Sequence, residues 1–437
     1  MSSVLRPFAL FAALASCGGE SSSPPPVGPN VLLITVDTLR ADVLGCYGSE
    51  RALSPALDAF AADAQVFEHC QASSAWTLSS LASLMTGLPS ATHRAYSMTD
   101  RLGPALSTMA EELCAAGWDT AAVASHVFLG TDYGLHQGFV HYDEDLVHSV
   151  AASHAAISSP SVSDKGLAFL EEKAAADDGR PWFLWLHYFD PHDTYLEHEG
   201  LSERFGTESE RELYEGEVAF TDLHLGRVFD GLEQLGLSED TIVVFTADHG
   251  EEFGDHDGHG HGHTLYAELL RVPLIVRVPG AAPGRTSELV SLVDLAPSVR
   301  EWCALPPRSS SGQSWAPLFE GGALQPRAAL AELRLDADRP LDAWIEDGWK
   351  LVIDASSGEY ELYELASDPS EQRDRADEEP ARAARMLDAL IRNRGAALAA
   401  GEPYERGARR SVLPGEGARL GDLGYGEGAL DTEGGEQ

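Results

Sequence analysis

The stretch at 246–263, TADHGEEFGDHDGHGHGH, carries five histidines, 249, 256, 259, 261 and 263, among glycines and carboxylates. Imidazole and carboxylate are together the donor set of a divalent metal site, although composition alone fits a solvated, metal-scavenging tract equally well. Position separates the two readings. Asp248 and His249 come just after the apolar run TIVVFT, and Asp37 ends the apolar run NVLLITV at 30–36. Two carboxylates and an imidazole that leave the ends of two buried strands can close on one cation. His256, His259, His261 and His263 then fall on a loop rimming that site, too many for all to be ligands. Arg40, about one turn beyond Asp37, either touches a substrate or closes a structural ion pair. A third apolar run, 182–186, leads into HYFDPHDTY and brings His187 and His192 toward the same end.

The elements that must position these groups are legible as continuous apolar runs at 30–36, 120–124, 182–186 and 241–246. Runs without polar alternation mark strands buried on both faces of a mostly parallel sheet. Each is followed by polar residues, and open α/β sheets bind ligands beyond the carboxyl ends of their strands. Amphipathic segments at 107–116 and 212–235 supply covering helices, and the apolar pattern at 78–85 predicts a helix with Thr77 at its start. From about 317 the pattern changes to short runs at 343–345, 350–353 and 359–365, split by turn residues. This predicts a small antiparallel sheet, followed by a helix at 380–394. The division expected is a catalytic α/β domain at 30–315, a subdomain at 316–395 and a poorly ordered Gly/Glu/Arg-rich tail at 396–437.

The 437 residues include 70 acidic and 30 basic side chains, a formal charge of −40 at pH 7. Such a chain is no binder of nucleic acid, whose phosphates it would repel. A 43% apolar content excludes disorder throughout. No internal stretch reaches the roughly 18 apolar residues of a membrane span. Residues 1–17 have the form of an export signal, with Arg6, an apolar run at 8–14 and the ending LASC. That ending resembles the bacterial lipobox, which makes Cys17 a lipidation site and the Gly/Ser/Pro-rich 18–29 a flexible tether. The protein is then expected on a membrane of the bacterial cell envelope, periplasmic or cell-surface. Cys46, Cys70, Cys114 and Cys303 show no CxxC spacing and leave disulfide pairing open.

Five segments, NVLLITVDTLRADVLGCYG at 30–48, WTLSSLASLMTG at 76–87, FLWLHYFDPHDTY at 183–195, TADHGEEFG at 246–254 and GHGHTLYAELLRVPLIV at 260–276, together resemble the sulfatase family of the alkaline phosphatase superfamily. ELYELASDPSE at 361–371 and LGDLGY at 420–425 resemble that family's C-terminal pieces, so the likeness spans roughly 30–425. It implies a phosphatase-like α/β/α sandwich and one catalytic centre with one or more divalent ions.

The departures carry as much information. Sulfatases have Cys-x-Pro-x-Arg, or a Ser variant, whose first residue becomes formylglycine. Here the matching residues are Thr77-Leu78-Ser79-Ser80-Leu81, so Thr77 stands in the Cys slot and Leu81 in the Arg slot. The two lysines expected near Ser125 and Gly262 are missing, with His126 and His261 as neighbours to substitute. Asp37-Thr38 replaces the usual pair of aspartates. On this resemblance Asp37, Thr77, Asp248 and His249 surround a divalent ion, Ca, Mn or Zn. The set is similar to that of threonine-dependent phosphoethanolamine transferases and of some phosphonate and phosphodiester hydrolases. Thr77 is then the nucleophile, or alternatively a plain N-cap. His187 and His192 lie in the segment that supplies a substrate-binding histidine, to contact a non-bridging oxygen or protonate the leaving group, unless each is merely satisfied by backbone. With His261 and His263 they would replace the missing cationic charge, giving a rate that falls as they lose protons. Three functions follow. The first is a metallo-hydrolase of sulfate or phosphate (di)esters on a small molecule or glycan. A transferase of the phosphoethanolamine type is disfavoured by the lack of N-terminal membrane helices, and a non-catalytic binding protein by the retained metal triad.

Overall fold

A computed structural model describes residues 27–147, 157–176 and 178–409; Cys17 and the LGDLGY segment lie outside them. In chain order the strands are β1 (Asn30–Val36), β2 (Gln65–Gln71), β3 (Asp119–Val123), β4 (His141–Asp143), β5 (Trp182–Tyr188), β6 (Thr241–Ala247), β7 (Glu252–Phe253), β8 (His259–Gly260), β9 (Arg271–Arg277) and β10 (Gly284–Ser291). Eight of them form one sheet in the order β10-β2-β9-β6-β1-β5-β3-β4, while β7 and β8 form a separate ribbon. The four apolar runs read from the sequence are β1, β3, β5 and β6, adjacent in the middle of the sheet and parallel. In β5 and β6 every residue is buried.

The other half was not legible as strands. β9 runs antiparallel to both neighbours, so the sheet is mixed. It contains Pro273, which has no N–H to give a ladder. The chain resolves this locally: β2 breaks register between Phe67 and Cys70, opposite the proline. The Tyr47 hydroxyl fills the gap, accepting from Leu274 N–H at 2.7 Å and lying 3.0 Å from the Phe67 carbonyl.

Helices cover the sheet in two packs, Pro55–Ala62 with Ser159–Ala176 and Glu210–Gln234, and Thr77–Thr86 with Met109–Ala116 and Leu295–Trp302. This is an α/β/α layering. Two of these helices open on reciprocal capping boxes, Thr108 with Glu111 and Ser209 with Glu212.

The C-terminal part adds an antiparallel sheet of β11 (Ala328–Leu333), β12 (Leu341–Glu346), β13 (Trp349–Asp354) and β14 (Tyr360–Glu364), covered by the helix Pro380–Gly401. Trp344, Trp349, Leu351, Leu362, Met386 and Leu390 form their shared core. The helix outruns the expected end at 394, so the tail does not begin at 396. Its last turns are Ala-rich, a strong helix former, and are fastened to the main domain. Thr92 Oγ1 donates to the Ala397 carbonyl at 2.9 Å, and Arg94 Nη2 to the Gly401 carbonyl at 2.8 Å.

Candidate active site

Asp37 closes β1, and Asp248 and His249 directly follow β6, its parallel neighbour. All three are fully buried, and one ligand atom from each lies within 4.8 Å of the other two. Each of the two carboxylates has one oxygen held by the protein and another left over. Asp248 Oδ1 accepts from His249 N–H at 2.9 Å and from Thr38 N–H at 3.3 Å, and its Oδ2 has no partner. Asp37 Oδ2 faces His187 Nε2 at 3.2 Å, and its Oδ1 has none. His249 Nδ1 donates to the Gly250 carbonyl at 2.9 Å, which leaves the Nε2 lone pair for a ligand. That Nε2 is 3.8 Å from Asp37 Oδ1 and 3.4 Å from Asp248 Oδ2. Burial, and for Asp37 the facing charges of Asp248 and Glu251, push both carboxyls above their ordinary range. Two orphaned carboxylate oxygens and one imidazole lone pair around a common point fit a divalent cation.

Thr77 meets this cluster from the helix Thr77–Thr86. Trp76 occupies the N-cap position in extended backbone and Thr77 is the first helical residue, so its side chain is not the cap. Its Oγ1 lies 3.3 Å from His249 Nε2. Ser80, one turn on, donates to the Asp248 carbonyl at 2.6 Å and pins the helix to the end of β6. Asp37, Thr77, Asp248 and His249, from three segments, therefore converge.

Around them lie His126, His187, His192 and His261. The His192 ring sits 4.9 Å from that of His261 and 5.5 Å from that of His126, and the His261 ring is 4.6 Å from that of His249. Burial, followed by the neighbouring imidazoles, pushes His187 and His192 down to about 3 and His126 and His261 well below their ordinary value. Burial thus disfavours a positive charge on each of them. For His187, His192 and His261 this direction runs against the expectation that they replace the missing cations. His192 Nδ1 donates to the Asp193 carbonyl at 2.6 Å, so the neutral ring presents Nε2 as an acceptor rather than an acid. His187 has both nitrogens engaged, by Thr35 and by Asp37, and offers none to a substrate.

Of the two roles open to Arg40 the structure shows the ion pair, and His263 faces a loop carboxylate. Arg40 is an ion-pair residue: its guanidinium bonds Asp42, Asp255 and the Glu251 carbonyl. His263 Nε2 bonds Glu252 Oε2 at 2.8 Å, and the other oxygen of Glu252 takes the amides of His256 and Gly258, so His263 shapes the loop. His256 lies farther out, between Glu268 and the Glu371 carbonyl. Glu251 was not foreseen; it is fully buried, and holds His261 Nδ1 at 2.9 Å and the Tyr195 hydroxyl at 3.0 Å. A carboxylate two residues past a ligand histidine was the available signal. Among the described residues Cys46, Cys70 and Cys303 are free thiols.

Residues 29–304 match the Sulfatase family. The chain belongs to the sulfatase family. It is thus a hydrolase of sulfuric or phosphoric esters in the alkaline phosphatase superfamily, a metal-dependent group. It is 24% identical over 425 residues to the sulfatase YidJ of Escherichia coli, covering 80% of this chain and 83% of that one. The phosphonate monoester hydrolase of Agrobacterium radiobacter has the same fold, with a TM-score of 0.72 at 22% identity over 85% of this chain and 96% of that one. A structure solved with its substrate D-glucosamine-2-N,6-O-disulfate also superposes with a TM-score of 0.72, at 18% identity over 85% and 98% of the two chains.

Proposed function

We propose that this sulfatase-family hydrolase uses Thr77 as its nucleophile and prefers phosphodiesters or phosphonate monoesters to sulfate esters. The observation that carries this reading is the Thr77 hydroxyl, 3.3 Å from the nitrogen that His249 directs at the two open carboxylate oxygens. Asp37, Asp248 and His249 would hold the cation, which lowers the pKa of a nearby hydroxyl and polarises the ester oxygen. A donor set with one imidazole suits Mn2+ or Zn2+ better than Ca2+. Thr77 Oγ1 attacks the phosphorus in line as the bond to the ester oxygen breaks, and the hydroxyl's proton goes to the departing oxygen, which leaves as the alcohol or phenol. Water then attacks the phosphorus in line, and one of its protons returns to Thr77 Oγ1 as the bond between phosphorus and the threonine breaks. Formylglycine hydrate has a second hydroxyl whose loss of a proton expels sulfate by elimination. Threonine has one, and a second displacement suits phosphorus better than sulfur. The likeness to a phosphonate monoester hydrolase agrees with this preference, and the likeness to a glycan-disulfate-bound structure keeps sulfated or phosphorylated glycans within the substrate class.

The test is turnover of aryl phosphonate, bis-aryl phosphate, aryl phosphate and aryl sulfate with Mn2+ or Zn2+. Thr77→Ala should lower the best of these on the order of 10⁴-fold, and co-expressed formylglycine-generating enzyme should change nothing. Efficient aryl sulfate turnover without phosphoester activity would refute the preference. The same reading includes export and anchoring through Cys17 in a bacterial envelope. Cys17→Ala should then move the protein from the membrane to the soluble fraction, and identical fractionation of both forms counts against the anchor.

A further inference from the structure

The apolar strands β1 and β5 contain two polar residues that packing does not require, Thr35 and His187, both fully buried. They are direct partners in the parallel register, Thr35 opposite His187. Side chains two apart on a strand share a face, so Thr35 and Asp37 on β1 meet Trp185 and His187 on β5. Their hydrogen bonds form a line. Trp185 Nε1 donates to Thr35 Oγ1 at 2.9 Å, Thr35 Oγ1 lies 2.8 Å from His187 Nδ1, and His187 Nε2 lies 3.2 Å from Asp37 Oδ2.

The line has one sense. An indole N–H only donates, so it occupies a lone pair of the Thr35 hydroxyl, whose own proton is directed at His187 Nδ1. A ring that accepts at Nδ1 carries its proton on Nε2, where the Asp37 carboxylate accepts it. Reversing the sense would set the Nε2 lone pair against that carboxylate and leave the Thr35 proton without an acceptor. The consequence falls on Asp37: with Oδ2 held from behind, Oδ1 faces His249 Nε2.

We propose that Thr35 and His187 are positioning residues that fix the Asp37 carboxylate for a metal ion, with Trp185 setting the direction of the line. The proposal rests on the metal-site reading of Asp37, Asp248 and His249. It assigns His187 no contact with substrate.

The experiment compares the full chain with Thr35→Val, which keeps the shape and removes the hydroxyl, and Thr35→Ser, which restores it. Zn2+ affinity is read by chelator competition and the ligand field by the visible absorption of the Co2+ form, with urea unfolding of each metal-free protein as the control for folding. Outer partners of metal ligands are typically worth 10–100-fold in affinity. Thr35→Val should lose about that much and shift the Co2+ bands, while Thr35→Ser binds as the parent does. His187→Leu should lose at least as much as Thr35→Val. A folded Thr35→Val protein binding Zn2+ within about threefold of the parent overturns the relay and leaves the metal site standing. Equal losses in Thr35→Val and Thr35→Ser also overturn it. Failure of the parent to bind Zn2+, Mn2+ or Co2+ overturns the metal reading and the relay together.

Discussion

Buried carboxylates occur both in the C-terminal sheet and at the carboxyl edge of the main sheet, and the two regions treat them in opposite ways. In the former, Glu371 takes both of its oxygens to Lys350 Nζ, at 2.9 and 2.8 Å, and Glu332 binds Arg394 Nε at 3.0 Å and Ala91 N–H at 2.6 Å. Asp342 is paired with Arg334. In the latter, Asp37 Oδ1 and Asp248 Oδ2 are left without partners, and burial disfavours the charged form of the nearby His187 and His192. An uncompensated buried charge costs several kcal/mol. Where the chain supplies the counter-ion the carboxylate is architecture; where it withholds one from atoms aimed at a common point, the deficit is what the proposed cation would fill.

The contrast can be broken by substitutions of the same size in the two regions. Lys350→Met strands Glu371 in the C-terminal core and should destabilise the protein by about 3–5 kcal/mol, read from urea unfolding. Asp248→Asn removes a charge that has no partner. It should stabilise the metal-free protein by about 1 kcal/mol while abolishing the roughly 2.7 kcal/mol that a cation at 100 times its Kd gives the parent. A loss in metal-free Asp248→Asn as large as that of Lys350→Met would erase the distinction.

A smaller effect sharpens the boundary between the regions. His256 stacks on Tyr266, with ring centroids 3.8 Å apart, bonds Glu268 Oε1 at 2.7 Å and the Glu371 carbonyl at 2.9 Å. Burial opposes its charge, but the Glu371 carbonyl and the Glu268 carboxylate outweigh it and raise the imidazole above its ordinary value. The folded form therefore holds the proton more tightly than the unfolded chain. The resulting stability is complete below the unfolded value near 6.5 and is lost as pH rises through the higher folded value. The melting temperature of His256→Gln should fall below the parent's at pH 6 and converge with it at pH 9. An equal gap at both would show that the ring acts by packing alone.

How much of this was legible follows from the kind of signal each residue leaves. β6, β1, β5 and β3 are buried on both faces and read as unbroken apolar runs, so Asp37, Asp248 and His249 at their ends were readable as a set. β2 carries Gln65, Glu68, His69 and Gln71, and β10 is largely exposed on the sheet edge, so neither shows an apolar run. β9 hides behind Pro273, tolerated only through a register break in another strand. Arg40 was left between two roles, and His263 was read as a site residue, for a different reason. Their partners, Asp255 and Glu252, lie in the same His-rich stretch, where residue type does not tell a ligand from a scaffold. Thr35 left the clearest unused signal, a polar side chain inside an apolar strand.

The antiparallel course of β9 has a consequence for how the site can change over time. Because β9 lies beside β6 and runs the other way, residues 248–270 leave the sheet and return to it at the same end. Their base is cinched, with Gly250 N–H donating to the Leu269 carbonyl at 2.9 Å, and a Cβ at Gly250 would lie 1.9 Å from the Glu268 carbonyl oxygen. A loop with its ends already joined is cheap to lengthen, since each doubling of a flexible loop adds only about 0.6 kcal/mol of closure entropy. Insertions beyond the base would leave Asp248 and His249 anchored at the end of β6 while redrawing the rim that a substrate meets. The fold thus separates a reaction centre at the end of β6 from the outer rim of the loop that a substrate meets.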